Sequence, residues 1–314
     1  METIVVSARG RLDTFLAQAC EGLSRVKAGA LVRTGCVLLN GRIVRKPAQI
    51  VQPGDRIEVS LSEEPVSESH ITPVDLKLPI LYEDDDCLVI AKPAGVAVHP
   101  APGVARDEPT ILHGIAHLFA ERKIPFGASS VLVHRLDRET TGCLLIAKSP
   151  QAHAALQKEF SDRTVRKFYL AIVAGVPSPA AAVIDAPVGR NLTDRTKMSV
   201  LKTSVSREAK TTYRTLSAGK DCALLLCEIH TGRTHQVRVH LRSVGHPILG
   251  DPTYASSASE KTEVHYGIAG MCLHAWKLTF TSPGHSSSQT VVAPVPEGFE
   301  KAMRGLGLGL EKLF

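Results

Sequence analysis

His134-Arg135-Leu136-Asp137-Arg138-Glu139-Thr140-Thr141-Gly142 sets one carboxylate between two arginines, ahead of the apolar run Cys143-Leu144-Leu145-Ile146-Ala147. Flanking positive charge stabilises an anion at such a position. The same guanidiniums suit a phosphate backbone lying beside it. A carboxylate presented next to phosphate-binding groups points to chemistry on a phosphodiester-linked substrate, that is, on nucleic acid. An aspartate in a turn is by itself more often a solvated or capping residue. The rest of the chain has to supply the setting.

A second chemistry-bearing stretch is His230-Thr231-Gly232-Arg233-Thr234-His235-Gln236-Val237-Arg238-Val239-His240-Leu241. Thr234 is the expected N-cap of a helix with Val237, Leu241 and Val244 on its apolar face, ended by Gly245 and Pro247. Arg238 then lies off that face. His230, His235 and His240 recur every fifth residue. On a helix that spacing turns each well away from the last, so one metal ion does not gather all three. His-Arg-Leu-Asp also resembles a kinase catalytic loop. However, no Asn stands five residues after Asp137, and no glycine-rich phosphate loop precedes it. Gly305, Gly307 and Gly309 have the spacing of a nucleotide loop without a preceding strand.

These groups sit in a chain of 314 residues, 44% hydrophobic and 22% charged, with net charge +6 and a pI near 8.9. That is ordinary globular composition with a lean toward anionic partners. The seven cysteines form no Cys-x-x-Cys pair, and no secretory leader or apolar run of about eighteen residues is present. Buried reduced thiols, a cytoplasmic location and no membrane partner are expected. Four regions are predicted: a basic module at 8–60, a polar linker at 61–76, a larger domain at 77–297 and a glycine-broken tail at 298–314. In the module, Leu12, Phe15 and Leu16 mark one helix and Val26, Leu31 and Val32 a second, capped by Ser24 and stopped by Gly35. Val37-Leu38-Leu39, the Asn40-Gly41 turn and Ile43-Val44 read as a hairpin, and Ile57-Glu58-Val59 as a strand. Arg11, Arg25, Lys27, Arg33, Arg42 and Arg45 give this unit a possible RNA footprint.

In the larger domain strands are predicted at 87–91, 131–134, 143–148, 168–173, 212–215, 223–229 and 273–280, with helices at 110–121 and 151–161 and a loop at 254–264. Strands and helices do not alternate regularly. The fold class is α+β with a large, mostly antiparallel mixed sheet, preceded by a small α+β domain.

Five segments, in order, resemble the RluA-type pseudouridine synthases (the RluA/RluC/RluD-like enzymes). They are Glu83–Gly95 with Val98-His99-Pro100, the Asp137 stretch, Lys167-Phe168-Tyr169-Leu170-Ala171-Ile172-Val173-Ala174-Gly175, the His230–Asp251 region and Leu273-His274-Ala275. Residues 9–60 resemble the alpha-L RNA-binding module of a small-subunit ribosomal protein. The resemblance implies an isomerase that turns uridine into pseudouridine. Asp137 would be its catalytic carboxylate, Arg238 the arginine paired with it and Tyr169 the active-site tyrosine. Leu273 would close the far face of the base, and Arg135 would enter the space the base vacates. Arg138, Arg233 and Lys92 are candidates for phosphate contacts. The carboxylate can stabilise developing positive charge on the sugar, bond to it, or remove a neighbouring proton. No metal or organic cofactor is implied. Large-subunit ribosomal RNA is the expected partner of a monomer; a tRNA target and a silent RNA-binding protein are the alternatives. Two positions depart from the family pattern: Ala91 stands where Asn is usual, and Thr141 where Ser is common.

Overall fold

The computed structural model describes residues 2–20, 23, 25–59, 71–100, 105, 108–194, 196–203 and 205–309. The chain divides into two compact units, Met1–His70 and Ile71–Phe314.

In the first unit β1 (Glu2–Val5), β2 (Val37–Leu39), β3 (Arg42–Ile43) and β4 (Arg56–Val59) form a sheet in the order β1-β4-β2-β3. Helices α1 (Leu12–Ala19) and α2 (Arg25–Thr34) carry Leu12, Leu16 and Val32 into a core with Val37, Ile57 and Val59. The hairpin turn is fixed by Asn40 and Gly41, both at positive φ (52° and 75°). Asn40 Nδ2 also donates to Asp55 Oδ1 at 2.9 Å, tying this turn to the next one. Gly35 ends α2 with φ 85°. The cap expected at Ser24 and the side chain of Lys27 lie outside the described residues.

Of the basic residues singled out here, Arg11 and Arg25 reach the buried Asp13 carboxylate at 2.7 and 3.4 Å. The hydrogen bond from Arg11 holds that carboxyl far below the usual carboxylate range. Arg33, Arg42 and Arg45 are exposed. Arg45 Nη1 donates to the Arg33 carbonyl at 3.2 Å.

The second unit is built on a nine-stranded sheet. Its strands are β5 (Ile80–Glu83), β6 (Cys87–Lys92), β7 (Thr141–Ala147), β8 (Arg166–Ala174), β9 (Ala181–Asp185), β10 (Lys210–Ala218), β11 (Cys222–Ile229), β12 (Leu273–Thr281) and β13 (Ser288–Val292). The order is β9-β10-β11-β8-β12-β7-β6-β5, with β13 also on β12. All pairings are antiparallel except β7 with β12. Both β7 and β13 pair with β12: β7 at His274 and Ala275, β13 from Lys277 onward.

The close approach of β7 to β12 requires Gly142. It sits at φ 113°, and a Cβ there would lie 2.2 Å from the Ala275 carbonyl oxygen. Beyond Gly142 the segment 131–134 replaces β12 beside β7. It was expected to be a strand but forms only the single bridge Leu132↔Ile146. The reason is His134: its ring Nε2, rather than a backbone carbonyl, accepts the Leu145 N–H at 2.9 Å.

The helices of the unit are α3 (Ile111–Glu121), α4 (Pro150–Asp162), α5 (Gln236–Ser243), α6 (Ser257–Tyr266) and α7 (Glu297–Gly305). Helix α6 replaces the expected loop at 254–264. Ser256 and Ser259 cap it reciprocally, and Gly267 at φ 63° ends it. The tail expected from 298 is instead packed: Phe299, Ala302, Met303, Leu306 and Leu308 are buried in the main core. Residues 71–76, expected in the linker, lie against α3, where Val74 N–H donates to the His113 carbonyl at 3.2 Å. Six of the seven cysteines are buried, and Cys36 is partly so.

Two histidines, the buried His274 and the partly buried His134, support β7. His134 stacks on Phe160 with ring centroids 4.8 Å apart, and His274 Nδ1 shares a 2.8 Å hydrogen bond with Thr141 Oγ1. Burial pushes His134 down to about 3 and His274 down to about 4. Below about pH 6.5 the unfolded chain binds protons at these positions and the fold does not. Stability is therefore fully present above pH 6.5 and falls as pH drops toward 4. Trp276, the single tryptophan, lies two residues from His274 and reports this unit. We predict that denaturant midpoints followed by Trp276 fluorescence fall between pH 6.5 and 4, with a shallower fall in His274→Asn. An identical slope in that variant would show that His274 is not titrating.

Candidate active site

Asp137 lies in the loop that leads into β7, and the site is assembled around it by one guanidinium. Arg238 Nη1 donates to Asp137 Oδ2 at 3.0 Å. The same side chain grips Asp251 in a two-pronged pair, Nε to Oδ2 at 2.7 Å and Nη2 to Oδ1 at 2.8 Å, and Nη2 also reaches Thr253 Oγ1 at 2.9 Å. Side-chain exposures are 6% for Arg238, 1% for Asp251 and 17% for Asp137. Burial opposes the Arg238 charge, but Asp251 and then Asp137 outweigh it and raise the guanidinium above its ordinary range. Arg238 is thus a fixed cation.

The two carboxylates differ in availability. Asp251 Oδ1 also accepts the backbone N–H groups of Thr253 and Tyr254 at 2.8 and 3.2 Å. Asp137 receives only the one bond, to Oδ2, from the described side chains, and the residue lines the cavity described below.

Arg238 is carried by α5 (Gln236–Ser243). The expected cap at Thr234 is not formed: the N-cap is His235, in the left-handed conformation at φ 57°. The start is fixed instead by the Gln236 side chain. Its Oε1 accepts from Arg233 N–H at 3.0 Å and Thr231 O–H at 2.7 Å, and its Nε2 donates to the Lys210 carbonyl at 3.0 Å. Val237 and Leu241 face the core as expected; Val244 is exposed. The three spaced histidines turn to different partners: His230 to Thr212, His235 to the Tyr254 hydroxyl and His240 to Thr211. Among the described residues, no group of three or more metal-ligating side chains is assembled.

Tyr169 lies in β8 opposite an irregularity in β12, where Ala275 and Trp276 together oppose this one residue. Such a bulge re-aims the side chains beside it. Burial, reinforced by the nearby Asp137 charge, raises the Tyr169 phenol well above its ordinary range and keeps it protonated. Leu273 begins β12 and is buried. Asp137, Arg238, Tyr169, Leu273, Arg135 and Arg233 all line one cavity of about 810 Å³. Arg135 is exposed there.

Two candidates from the sequence are not part of this wall. Arg138 pairs with Glu108 at 2.7 Å and lies outside the cavity lining. Lys92, read as a phosphate contact, is 1% exposed. Its ammonium donates to the carbonyls of Pro93, Arg138 and Thr140 at 2.7, 2.8 and 3.0 Å. All three donors are used, so none remains for RNA. Lys92 fastens the loop carrying Asp137 to the end of β6. Ala91, where the family pattern has Asn, borders a separate apolar cavity of about 690 Å³. Thr141 keeps the hydroxyl of the usual Ser and gives it to the His274 bond. The sequence did not single out Asp251 and Tyr254. Asp251 stood in a recognised segment, but nothing in the letters marked it as the second anchor of Arg238.

Comparison with known proteins places this geometry. Residues 86–243 match the RNA pseudouridylate synthase family and residues 10–57 match the S4 domain. The chain belongs to the RNA pseudouridylate synthases. These enzymes isomerise uridine to pseudouridine in RNA, and the relatives support that activity here. A protein of Aquifex aeolicus (strain VF5) named as an uncharacterized RNA pseudouridine synthase is 36% identical over 306 residues, covering 96% of this chain and 95% of its own. The ribosomal large subunit pseudouridine synthase D of Zymomonas mobilis is 36% identical over 296 residues, covering 92% of each chain. The solved structure of human RNA Pseudouridylate Synthase Domain Containing 4 is 28% identical, with a TM-score of 0.58 over 74% of this chain and 94% of that one. The expected α+β class, large mixed sheet and N-terminal RNA-binding module are therefore those of a pseudouridine synthase with an S4 domain.

Because Lys92 serves the Asp137 loop of this synthase, its loss leaves three carbonyls, the buried one of Thr140 among them, without this donor. That costs about 2–4 kcal/mol of stability. Lys92→Met is predicted to lower the limiting rate by at least about 100-fold, with RNA affinity changed by less than about 3-fold. Equal losses in affinity and rate would restore Lys92 as an RNA contact.

Proposed function

We propose that the chain isomerises uridines of large-subunit ribosomal RNA, with Asp137 as its catalytic carboxylate. The observation that carries this reading is the cavity in which Asp137, held by Arg238, faces Tyr169 and Leu273. Converting uridine to pseudouridine breaks the bond from the anomeric carbon to nitrogen, turns the freed uracil and rejoins it through carbon. The departing uracil carries its own negative charge and needs little protonation. The sugar develops positive charge, as in glycoside cleavage, and one carboxylate suffices to answer it. Asp251 is committed to Arg238 and to backbone N–H groups, which leaves Asp137 as the available acid.

The uridine has to leave its stack, at a cost of a few kcal/mol that is lowest in loops. Arg135 fills the space it vacates, and the base lies between the Tyr169 ring and Leu273. The protonated phenol favours this packing role for Tyr169 over service as a strong base. No cofactor enters the scheme. The S4 domain supplies a second grip on RNA, with Arg33, Arg42 and Arg45 as its exposed cations. The name of the Zymomonas relative, together with the paired module and catalytic unit, supports ribosomal RNA over tRNA. The proposal includes a monomer acting in the cytoplasm; no helix among the described residues is long and apolar enough to cross a membrane.

The test is a map of pseudouridine, by chemical derivatisation, in total RNA from cells with the gene deleted and then restored. We expect large-subunit ribosomal sites to vanish on deletion and to return with wild type but not with Asp137→Asn. Sites confined to tRNA would refute the target. Restoration by Asp137→Asn would refute the catalytic assignment.

A further inference from the structure

Three guanidiniums that the reaction does not use converge on another part of the same cavity wall. Arg163 follows α4 and stands in the left-handed conformation at φ 62°. Arg207 precedes β10 and is fixed by its backbone bridge to Val188. Arg233 lies between β11 and α5, its Nε donating to the Glu208 carbonyl at 3.0 Å. All three line the cavity that holds Asp137.

Their charges are poorly compensated. Nearby acids are already taken, Asp162 by Lys158 and Glu228 by Arg166 at 3.0 Å. Among the described residues, none of the three arginines has a carboxylate within ion-pair distance. The neighbouring Glu208 partly offsets the charge on Arg233. The arginines also feel one another: burial first, then the charges of Arg207 and Arg163, hold the Arg233 guanidinium below its ordinary value. Burial and then Arg163 act in the same direction on Lys167, which lines the same wall. Like charges gathered with little acid to offset them oppose folding, and an arriving anion relieves the repulsion. Guanidiniums from three separate connections suit a phosphate, whose oxygens accept several charge-assisted bonds at once.

We propose that Arg163, Arg207 and Arg233 form a phosphodiester clamp for the RNA strand beside the uridine seated at Asp137. This rests on the synthase reading and deepens it. The clamp holds the backbone while the base is drawn out of its stack, so that the flipped nucleotide is presented from an anchored strand. Because its contacts are to phosphate, it contributes grip and register without reading sequence.

The test uses the full chain and uridine-C5-tritiated RNA isolated from cells lacking the gene. Filter binding is measured from 50 to 200 mM salt, and tritium release is measured on the same RNA. For Arg163→Gln/Arg207→Gln we expect binding to weaken by about 10-fold or more at the lower salt. The slope of log affinity against log salt should fall by about 0.7 to 0.9 for each contact removed. In tritium release, the loss should fall on half-saturation more than on the limiting rate. Arg304→Gln, at an exposed site paired with Glu300 at 3.7 Å, serves as a control and should keep the wild-type slope. An unchanged slope in the double variant overturns the clamp, whether or not tritium is released. Absence of tritium release from the wild type counts instead against the synthase reading, and the binding slopes still judge the clamp.

Discussion

The site depends on how one buried guanidinium divides its donors. Arg238 spends Nε and part of Nη2 on Asp251, and Nη1 on Asp137. Asp251 is almost fully buried and is itself held by two backbone N–H groups. It therefore fixes the guanidinium plane, which in turn fixes the carboxylate that faces the cavity. A buried cation with one acid would be neutral as a pair. With two it leaves a net negative charge, and the structure places the exposed share of it on Asp137. That is the sign needed where a sugar turns positive. Breaking such a pair is costly because the partner left behind stays buried and charged.

The fold delivers these groups from different directions. The strand-edge loop before β7 carries Asp137, α5 carries Arg238, β8 carries Tyr169 and the start of β12 carries Leu273. Their meeting point lies beside the one parallel pairing in the sheet, where Gly142 lets β7 come against Ala275. Lys92 closes the Asp137 loop from behind by collecting three carbonyls, and His134 and His274 hold β7 along the edge away from β6. The carboxylate proposed as catalytic thus stands on a support whose buried polar groups are matched, as precise placement requires.

Much of this was legible in the sequence, for identifiable reasons. Asp137, Tyr169, Arg238 and Leu273 sit in segments whose order resembles one enzyme family, and the structure gathers them in one cavity. Strand cores were legible because they are long apolar runs. Lys92 was misread because its letter announces a charge and is silent on burial. Thr234 looked like a cap, but the Gln236 side chain, two residues later, fixes the start of the helix. Helix α6 lacks an apolar face, so periodicity could not reveal it; its Ser256 and Ser259 caps were the available signal. In α7 the glycines drew attention away from Phe299, Ala302 and Met303, which have helical spacing. Arg163 and Arg207 stand in connections with no pattern of their own, so only tertiary structure brings them together.

The central claim is that Asp251 acts on the reaction solely through Arg238. Single-turnover tritium release from uridine-C5-labelled RNA, measured for Arg238→Gln, Asp251→Asn and the double variant, tests it most directly. The account predicts that each single change lowers the rate constant by about 100-fold or more. The double variant should be little worse than Arg238→Gln alone. Losses that multiply would mean that Asp251 reaches the substrate by a route of its own, contrary to the shared-guanidinium account.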